Sequence, residues 1–338
     1  MQGIDSVSAI AEVAAAPSGN KLDASLGLWT LTLLGVGATV GTGIFFVMAE
    51  AVPKAGPAVI VAFILAAITA GLTALCYAEL ASSVPASGSS YSYARVAFGD
   101  FVAFVVAACL LLEYALAASA TAIGWSGYLN NFLDNAFGWS IPEALRSPML
   151  VAGKAGLEVH FDHFNLPPVI LVVLCAILLL RGTRESALVN AGMVLLKLLV
   201  LVFFAVIAWG GFRSENFTPF FNSSGMTGVT AAAGTVFFSF IGLDTVATAA
   251  AETRNPKRTV PLGILLGLLI VTIVYMLVAV TALGAQPAAK FDGQEAGLAE
   301  ILKTVTGQAW PAVVLSAGAV ISVFSVTLVT IYGQTRIL

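Results

Sequence analysis

The chain has 338 residues, 59% hydrophobic and only 10% charged, a balance that excludes soluble globular classes and leaves a membrane protein. Its formal net charge of -3 is too small to suggest a nucleic-acid partner or a strongly charged surface. The first twenty-odd residues mix Ala, Ser, Asp and Glu without a basic start or an apolar core, so residues 1–26 read as a cytoplasmic tail rather than a signal peptide.

A helix that crosses a bilayer needs about 20 apolar residues. Eight segments qualify in chain order: 28–51, 57–82, 100–129, 167–181 (short as drawn), 187–210, 228–251, 261–284 and 309–333. Together they make residues 27–338 one membrane domain. Pro57, Pro168, Pro261 and Pro311 stand near segment starts, where a missing amide donor costs little. Cys76, Cys109 and Cys175 lie in apolar runs and read as small hydrophobes, not a disulfide framework. The longest polar insertion, about Asn130 to Leu166, separates segments 3 and 4. Its string His160-Phe161-Asp162-His163 has metal-binding residue types, but it is one short cluster and no metal site is assigned to it. The tight loops 181–186 and 252–259 carry Arg181, Arg184, Arg254, Lys257 and Arg258, which places them, and with them the N-terminus, on the cytoplasmic side.

Segments 1 and 6 are each interrupted. The first contains Gly35-Val36-Gly37-Ala38-Thr39-Val40-Gly41-Thr42-Gly43-Ile44-Phe45, the second Phe237-Phe238-Ser239-Phe240-Ile241-Gly242-Leu243-Asp244. Each glycine costs a helix roughly 1 kcal/mol, which opposes continuous helix through either stretch. Unwound backbone at membrane depth is tolerated only where it lines a cavity or binds something. Paired interruptions at corresponding positions of two repeats mark the substrate site of a secondary transporter. Five helices per repeat is an odd number, so the second repeat enters the membrane from the opposite side. The chain ends at Thr330-Ile331-Tyr332-Gly333-Gln334-Thr335-Arg336-Ile337-Leu338 without a polar tail, so the expectation is a fragment with its later helices missing.

Three further strings sharpen this reading. They are Tyr77-Ala78-Glu79-Leu80 with Pro85-Ala86-Ser87-Gly88-Ser89 and Tyr91-Ser92-Tyr93, then Leu112-Glu113-Tyr114-Ala115 with Gly124-Trp125-Ser126-Gly127-Tyr128, then Glu252-Thr253-Arg254-Asn255-Pro256-Lys257-Arg258 and Pro261. With Gly41-Thr42-Gly43-Ile44-Phe45 and the segment 6 string, the chain from about Leu26 to Leu338 resembles the amino acid–polyamine–organocation (APC) superfamily, and within it the cationic amino acid transporter family in bacterial form. The resemblance implies an all-α multi-pass membrane protein with a leucine-transporter-type 5+5 inverted repeat, discontinuous in helices 1 and 6 and truncated after helix 8. It also implies a secondary active amino acid permease of the plasma (cell inner) membrane, with an amino acid and the lipid bilayer as partners and no cofactor beyond the proton as coupling ion. The expected activity is proton-coupled uptake of small neutral or cationic amino acids by alternating access. The alternatives are a cationic amino acid exchanger or uniporter and a non-transporting amino acid sensor. No nucleophile–base set or metal cluster lies within the spans, so no enzyme is expected. The oligomeric state is not legible.

The candidate site follows from the substrate's two ends. Free amides at the start of a half-helix, with the positive end of its dipole, suit a carboxylate, which points to Thr42, Gly43 and Ile44. Carbonyls around Thr39, Phe238, Ser239 and Ile241 would accept from the ammonium, as the resemblance also implies. The competing reading of these glycines is a close helix contact or a kink. Lys197 stands among Met193-Val194-Leu195-Leu196 and Leu198-Leu199-Val200, and an ionisable group at that depth costs at least about 2.5 kcal/mol, which makes it a functional candidate. The hypothesis is that its ammonium replaces a bound sodium ion, facing carbonyls of the helix 1 break and hydroxyls of helix 8; a structural ion pair is the other reading. Glu113 shares a face with Ala117, Thr121 and Gly124, where it either pairs with Lys197, holds a proton or tunes the site's charge. Asp244 reads as a cap of the second half-helix of segment 6. Phe238 and Phe240 are candidate gates. Ser322, Ser325 and Thr327 either face the site or bond back to their own helix.

Overall fold

The computed structural model describes residues 26–41, 43–83, 89–153, 156–181, 187–242, 245–250 and 253–335. Residues 1–25, Thr42 and Asp244 lie outside these, so the expected tail, one substrate contact and the expected cap receive no structural account. The main helices are α1 (Leu28–Thr39), α2 (Val47–Ala55), α3 (Val59–Ser83), α4 (Ser89–Phe98), α5 (Asp100–Phe137), α6 (Leu166–Leu180), α7 (Ala187–Trp209), α8 (Gly225–Phe237), α9 (Pro256–Ala285), α10 (Gly297–Thr306) and α11 (Trp310–Thr335). Among the described residues six helical stretches are long and apolar enough to cross a membrane. The shorter apolar α1 and α6 occupy the first and fourth predicted positions. This is a multi-pass integral membrane protein.

The surface confirms which solvent the helices face. Phe101, Phe104, Leu112, Leu116, Leu269 and Ile273 are exposed, large and apolar, the reverse of a water-soluble surface. Burial inside the bundle goes instead to small residues. Ala62, Ala66, Ala70, Ala74 and Ala78 form a stripe at four-residue spacing along α3, and all are buried. Lipid offers no hydrophobic force between helices, so close backbone approach along such stripes supplies the packing. α9 crosses α3 and α1, while α11 crosses α5, and the core that these helices close centres on Val36, Val40, Ile44 and Phe45.

Two boundaries differ from expectation. α5 runs on to Phe137, because Asn131, Asp134 and Asn135 stay helical after the apolar stripe ends, and Gly138 in the left-handed region then stops the helix. α9 starts at Pro256, which puts Pro261 inside the helix rather than at its start. The architecture is also not purely helical. The insertion between α5 and α6 holds an antiparallel hairpin, β1 (Leu150–Gly153) paired with β2 (Gly156–Val159) in the register Leu150 to Val159.

Candidate functional site

Both expected interruptions are present. α1 stops at Thr39, Val40 turns extended, and Gly41 takes φ +119°. The chain re-enters helix at α2, whose first turn hangs on the Gly43 carbonyl, accepting from the Phe46 amide at 2.9 Å and the Val47 amide at 2.7 Å. In the second break α8 tightens into a 3-10 turn over Phe238–Phe240, Ile241 is extended, and Gly242 takes φ +110°. A helical turn, Thr245–Thr248, follows. A side chain at Gly41 or Gly242 would be strained whatever the space, since L-residues rarely adopt such φ values.

The breaks lie against each other. A Cβ on Gly43 would collide with the Ser239 side chain and come within 3.0 Å of the Ser239 Cα. One on Gly242 would stand 2.7 Å from the Ala38 carbonyl oxygen. Gly41 meets α11 in the same way, with Val326 Cγ2 at 2.9 Å and the Ser322 carbonyl at 3.5 Å. Glycine is therefore required by contact as well as by conformation at Gly41 and Gly242, and by contact at Gly43. Two unwound stretches of backbone and the intact helix α11 meet where no side chain fits between them.

Side chains from three other helices reach the first break. Lys197, 1% exposed in the middle of α7, donates from Nζ to the Gly37 carbonyl at 2.9 Å. The Tyr275 hydroxyl of α9 lies 3.0 Å from the Thr39 carbonyl and 2.9 Å from the Ser239 carbonyl. It has one proton for two acceptors, so it ties one break to the other. The Tyr128 hydroxyl of α5 donates to the Phe45 carbonyl at 2.6 Å. A carbonyl released from a helix in a dry interior needs such a donor, and a tyrosine carries an apolar ring with one polar end. Tyr275 and Tyr128 were not among the candidates read from the sequence. The signal was available: a tyrosine mid-span must find an acceptor, and the spare acceptors of a membrane helix lie at its break.

The other candidates divide. Ile44 is buried, as are Ser239, Ser322 and Ser325, while Ile241 and Phe238 are half-buried. Thr39 bonds its hydroxyl back to the Gly35 carbonyl at 2.8 Å. Thr327 likewise bonds back to Val323 at 2.9 Å, with its oxygen 3.3 Å from that of Thr121 on α5. The Ser322 Oγ, by contrast, is fully buried and has no hydrogen-bond partner among the described residues. Phe238 meets Phe46 with ring centroids 6.4 Å apart, and Phe46 fills the notch left by Gly124. Phe240 is buried edge-on to Tyr275 at 5.3 Å. Glu113 is exposed on α5, unlike the sealed Lys197. Among the described residues Lys197 is the buried charge.

Comparison with known proteins gives the family of the chain. The family model described as "Amino acid permease" matches residues 26–338. The chain is 42% identical over 330 residues to the branched-chain amino acid permease BcaP of Bacillus subtilis, covering 97% of this chain and 69% of that protein. It is 39% identical to the methylthioribose transporter of the same organism, over 96% and 69%. It is 33% identical to cationic amino acid transporter 1 of Arabidopsis thaliana, over 95% of this chain and 52% of that relative, so it spans about half the length of the latter.

Proposed function

The chain belongs to the amino acid permease family of the APC superfamily, and on that footing we propose that it carries amino acids by proton-coupled alternating access at the plasma membrane, N-terminus cytoplasmic. It is a transporter family, not an enzyme family. The observation that carries the coupling is the sealed contact from Lys197 to Gly37 beside the first break. An ammonium that holds a released carbonyl stands where a bound cation would otherwise stand, and it differs from that cation in being able to give up a proton. Losing the proton weakens the hold on Gly37 and frees α1 to move relative to α7. Such a two-state element, biased by protonation, is what coupling requires.

The substrate's common ends meet the two breaks. Its carboxylate faces Gly43 and Ile44 with Thr42, at the start of α2, where free amides and the helix dipole favour an anion. Its ammonium meets carbonyls near Thr39, Phe238, Ser239 and Ile241. The buried hydroxyl of Ser322, a residue whose backbone carbonyl lies against Gly41, is available to the ligand or to the coupling proton. Facing, reciprocally packed breaks support the 5+5 inverted repeat, in which each repeat donates one unwound segment. Phe46 and Phe238 cover the site as a gate on the α2 side, whereas Phe240 sits behind Tyr275 and supports it.

Among the described residues no carboxylate is buried at the site, and Glu113 is exposed, which favours neutral over cationic substrates. The test is labelled uptake of alanine, leucine and arginine by the full-length protein in proteoliposomes, with and without an inward proton gradient. Gradient-stimulated alanine or leucine uptake is expected. Gradient-blind exchange of arginine would establish a cationic exchanger instead, and binding without uptake a sensor.

A further inference from the structure

The chain has two histidines in 338 residues, and they stand three apart in the insertion between α5 and α6. The fold does more with them than the spacing shows. His160 continues β2, its amide donating to the Met149 carbonyl at 2.8 Å, so it lies on the same face of the extended strand as Glu158, two residues earlier. The chain then turns over Phe161 and Asp162, closed by the His163 amide bonding the His160 carbonyl at 3.1 Å. This returns His163 beneath His160, and the two rings stack with centroids 5.3 Å apart. One ligand atom from each of His160, Asp162 and His163 lies within 4.8 Å of the others. The carboxylate of Glu158 is 4.0 Å from His160 Nε2, and that of Asp162 is 3.9 Å from His163 Nε2.

We propose that His160, His163, Asp162 and Glu158 form a binding site for a divalent transition-metal ion, zinc above all, outside the membrane-spanning region. Two imidazoles and two carboxylates are the donor types that zinc takes, at bond lengths of about 2.0–2.2 Å. A tetrahedral set at those lengths has ligand atoms roughly 3.3 Å apart, so the clustered His160, Asp162 and His163 need to draw closer, and Glu158, beside His160, needs to swing toward them. His160 and His163 are half-buried, which shields the site from the open solvent, while Asp162 and Glu158 are exposed and free to swing. Hard cations such as magnesium and calcium, which favour oxygen, are poorly served by this set. The sequence string alone lacked a fourth donor; the hairpin supplies it as Glu158.

The site also has a place in the molecule. The Phe164 amide bonds the Ala144 carbonyl at 2.7 Å, and the Ser126 hydroxyl of α5 bonds Asn165 Oδ1 at 3.1 Å. A metal clip at His160 and His163 therefore ties the hairpin to the start of α6, within two residues of a contact with α5. It binds in addition to the substrate and independently of it.

The test uses tag-free full-length protein, stripped with a chelator, and zinc chloride alone as the probe in a calorimetric titration. One equivalent is expected to bind, and to raise the melting temperature. H163A and the double variant H160A/H163A are expected to lose that equivalent without a change in metal-free melting temperature, and E158Q to weaken it several-fold. No zinc uptake by the wild type would overturn the proposal. So would a double variant that binds zinc as tightly as the wild type, since no other imidazole exists in the chain.

Discussion

The two breaks use the same backbone device and are supported in different ways. Each carries one glycine at φ above +100°, Gly41 in the first and Gly242 in the second. The carbonyls around the first are held by side chains sent from elsewhere: Lys197 from α7 to Gly37, Tyr275 from α9 to Thr39, Tyr128 from α5 to Phe45. Among the described residues the second is held by its own turns, the Ile241 amide on the Phe238 carbonyl at 3.3 Å and the Thr245 amide on the Gly242 carbonyl at 3.1 Å, with Tyr275 as a tie at Ser239. Fixed donors make the first break a preorganised frame. Short 3-10 turns have poorer hydrogen bonds and deform at lower cost. The first break therefore suits reading what all substrates share, and the second suits adapting to what differs among them.

The sharpest way to break this contrast is to remove the frame's charged donor. Lys197→Ala leaves the Gly37 carbonyl without that donor in a dry interior and opens a cavity, together costing several kcal/mol and lowering uptake by about 100-fold or more. What uptake remains should no longer respond to a proton gradient. Uptake and its pH dependence both unchanged would end the coupling role of Lys197. Next in size is Gly43→Ala, which drives a methyl into Ser239. Overpacking of this kind costs about 1–3 kcal/mol, so substrate affinity should fall by roughly 10-fold, read as KM in uptake or as a thermal shift. Gly138→Ala is the control. Gly138 has positive φ, +66°, which Gly43 does not, and open space surrounds it, so that variant strains only the backbone and should lower the melting temperature and leave KM alone. Equal effects on KM from both would mean that the contact between breaks is not what matters.

Much of this was legible beforehand, for reasons that can be stated residue by residue. Glycine clusters in an apolar run announce a break because helix is costly there and the bilayer forbids most alternatives. Lys197 announces itself because charge at bilayer depth needs a reason. Amphipathic spacing was a poorer guide. It placed Glu113 on one face with Ala117 and Thr121, and those two are buried while Glu113 is exposed, since a helix can leave the bundle along its length. Hydropathy stopped α5 near residue 129, although Asn131 and Asn135 continue it, the Asn135 side-chain Nδ2 donating to the Asn131 carbonyl at 2.8 Å. A polarity window reports the membrane's edge, not the helix's. The hairpin was missed because each strand is four residues long, too short for a period-two pattern. The hydroxyls of Tyr128 and Tyr275 were missed because aromatic residues in spans read as apolar bulk.

A smaller effect tests the shared tie. Tyr275→Phe keeps the ring and its packing against Phe63 and Phe240 but removes the hydroxyl from both carbonyls. One hydroxyl proton shared by two carbonyls is worth about 1 kcal/mol net, so KM should rise several-fold. The contrast predicts that this penalty is paid mostly at the second break, where Tyr275 is the tie at Ser239. Tyr275→Phe should thus alter the ranking among alanine, leucine and arginine, whereas a frame residue should depress all three alike. An even loss across the three would place both breaks in one rigid unit.

The smallest expected effect lies at the far end of the frame, where α10 covers Tyr128. The Tyr128 hydroxyl sits close to the Leu298 amide and to the Glu300 carboxylate. Burial pushes the Glu300 carboxyl above the ordinary glutamate range, and nearby Glu295 adds to this, while the Ala296 amide, Gln294 and Lys303 work in the opposite direction. The folded state thus favours the protonated carboxyl more than the unfolded chain does. That contribution is fully present below the unfolded pKa and is lost as pH rises through the folded one. At neutral pH the ionised group is a small burden on α10, and its half-exposure keeps the burden small. Glu300→Gln removes the charge at nearly constant shape, so the melting temperature at pH 7.5 should rise by about 1–2 °C, the gain shrinking as pH falls into the ordinary glutamate range. Because Glu300 acts on the frame through its charge near Tyr128, uptake should stay within about 2-fold of the wild type if the first break is as firmly held as its three outside donors imply. A large change in uptake from so mild a substitution would show that the frame itself yields, and the difference between the two breaks would then be one of degree.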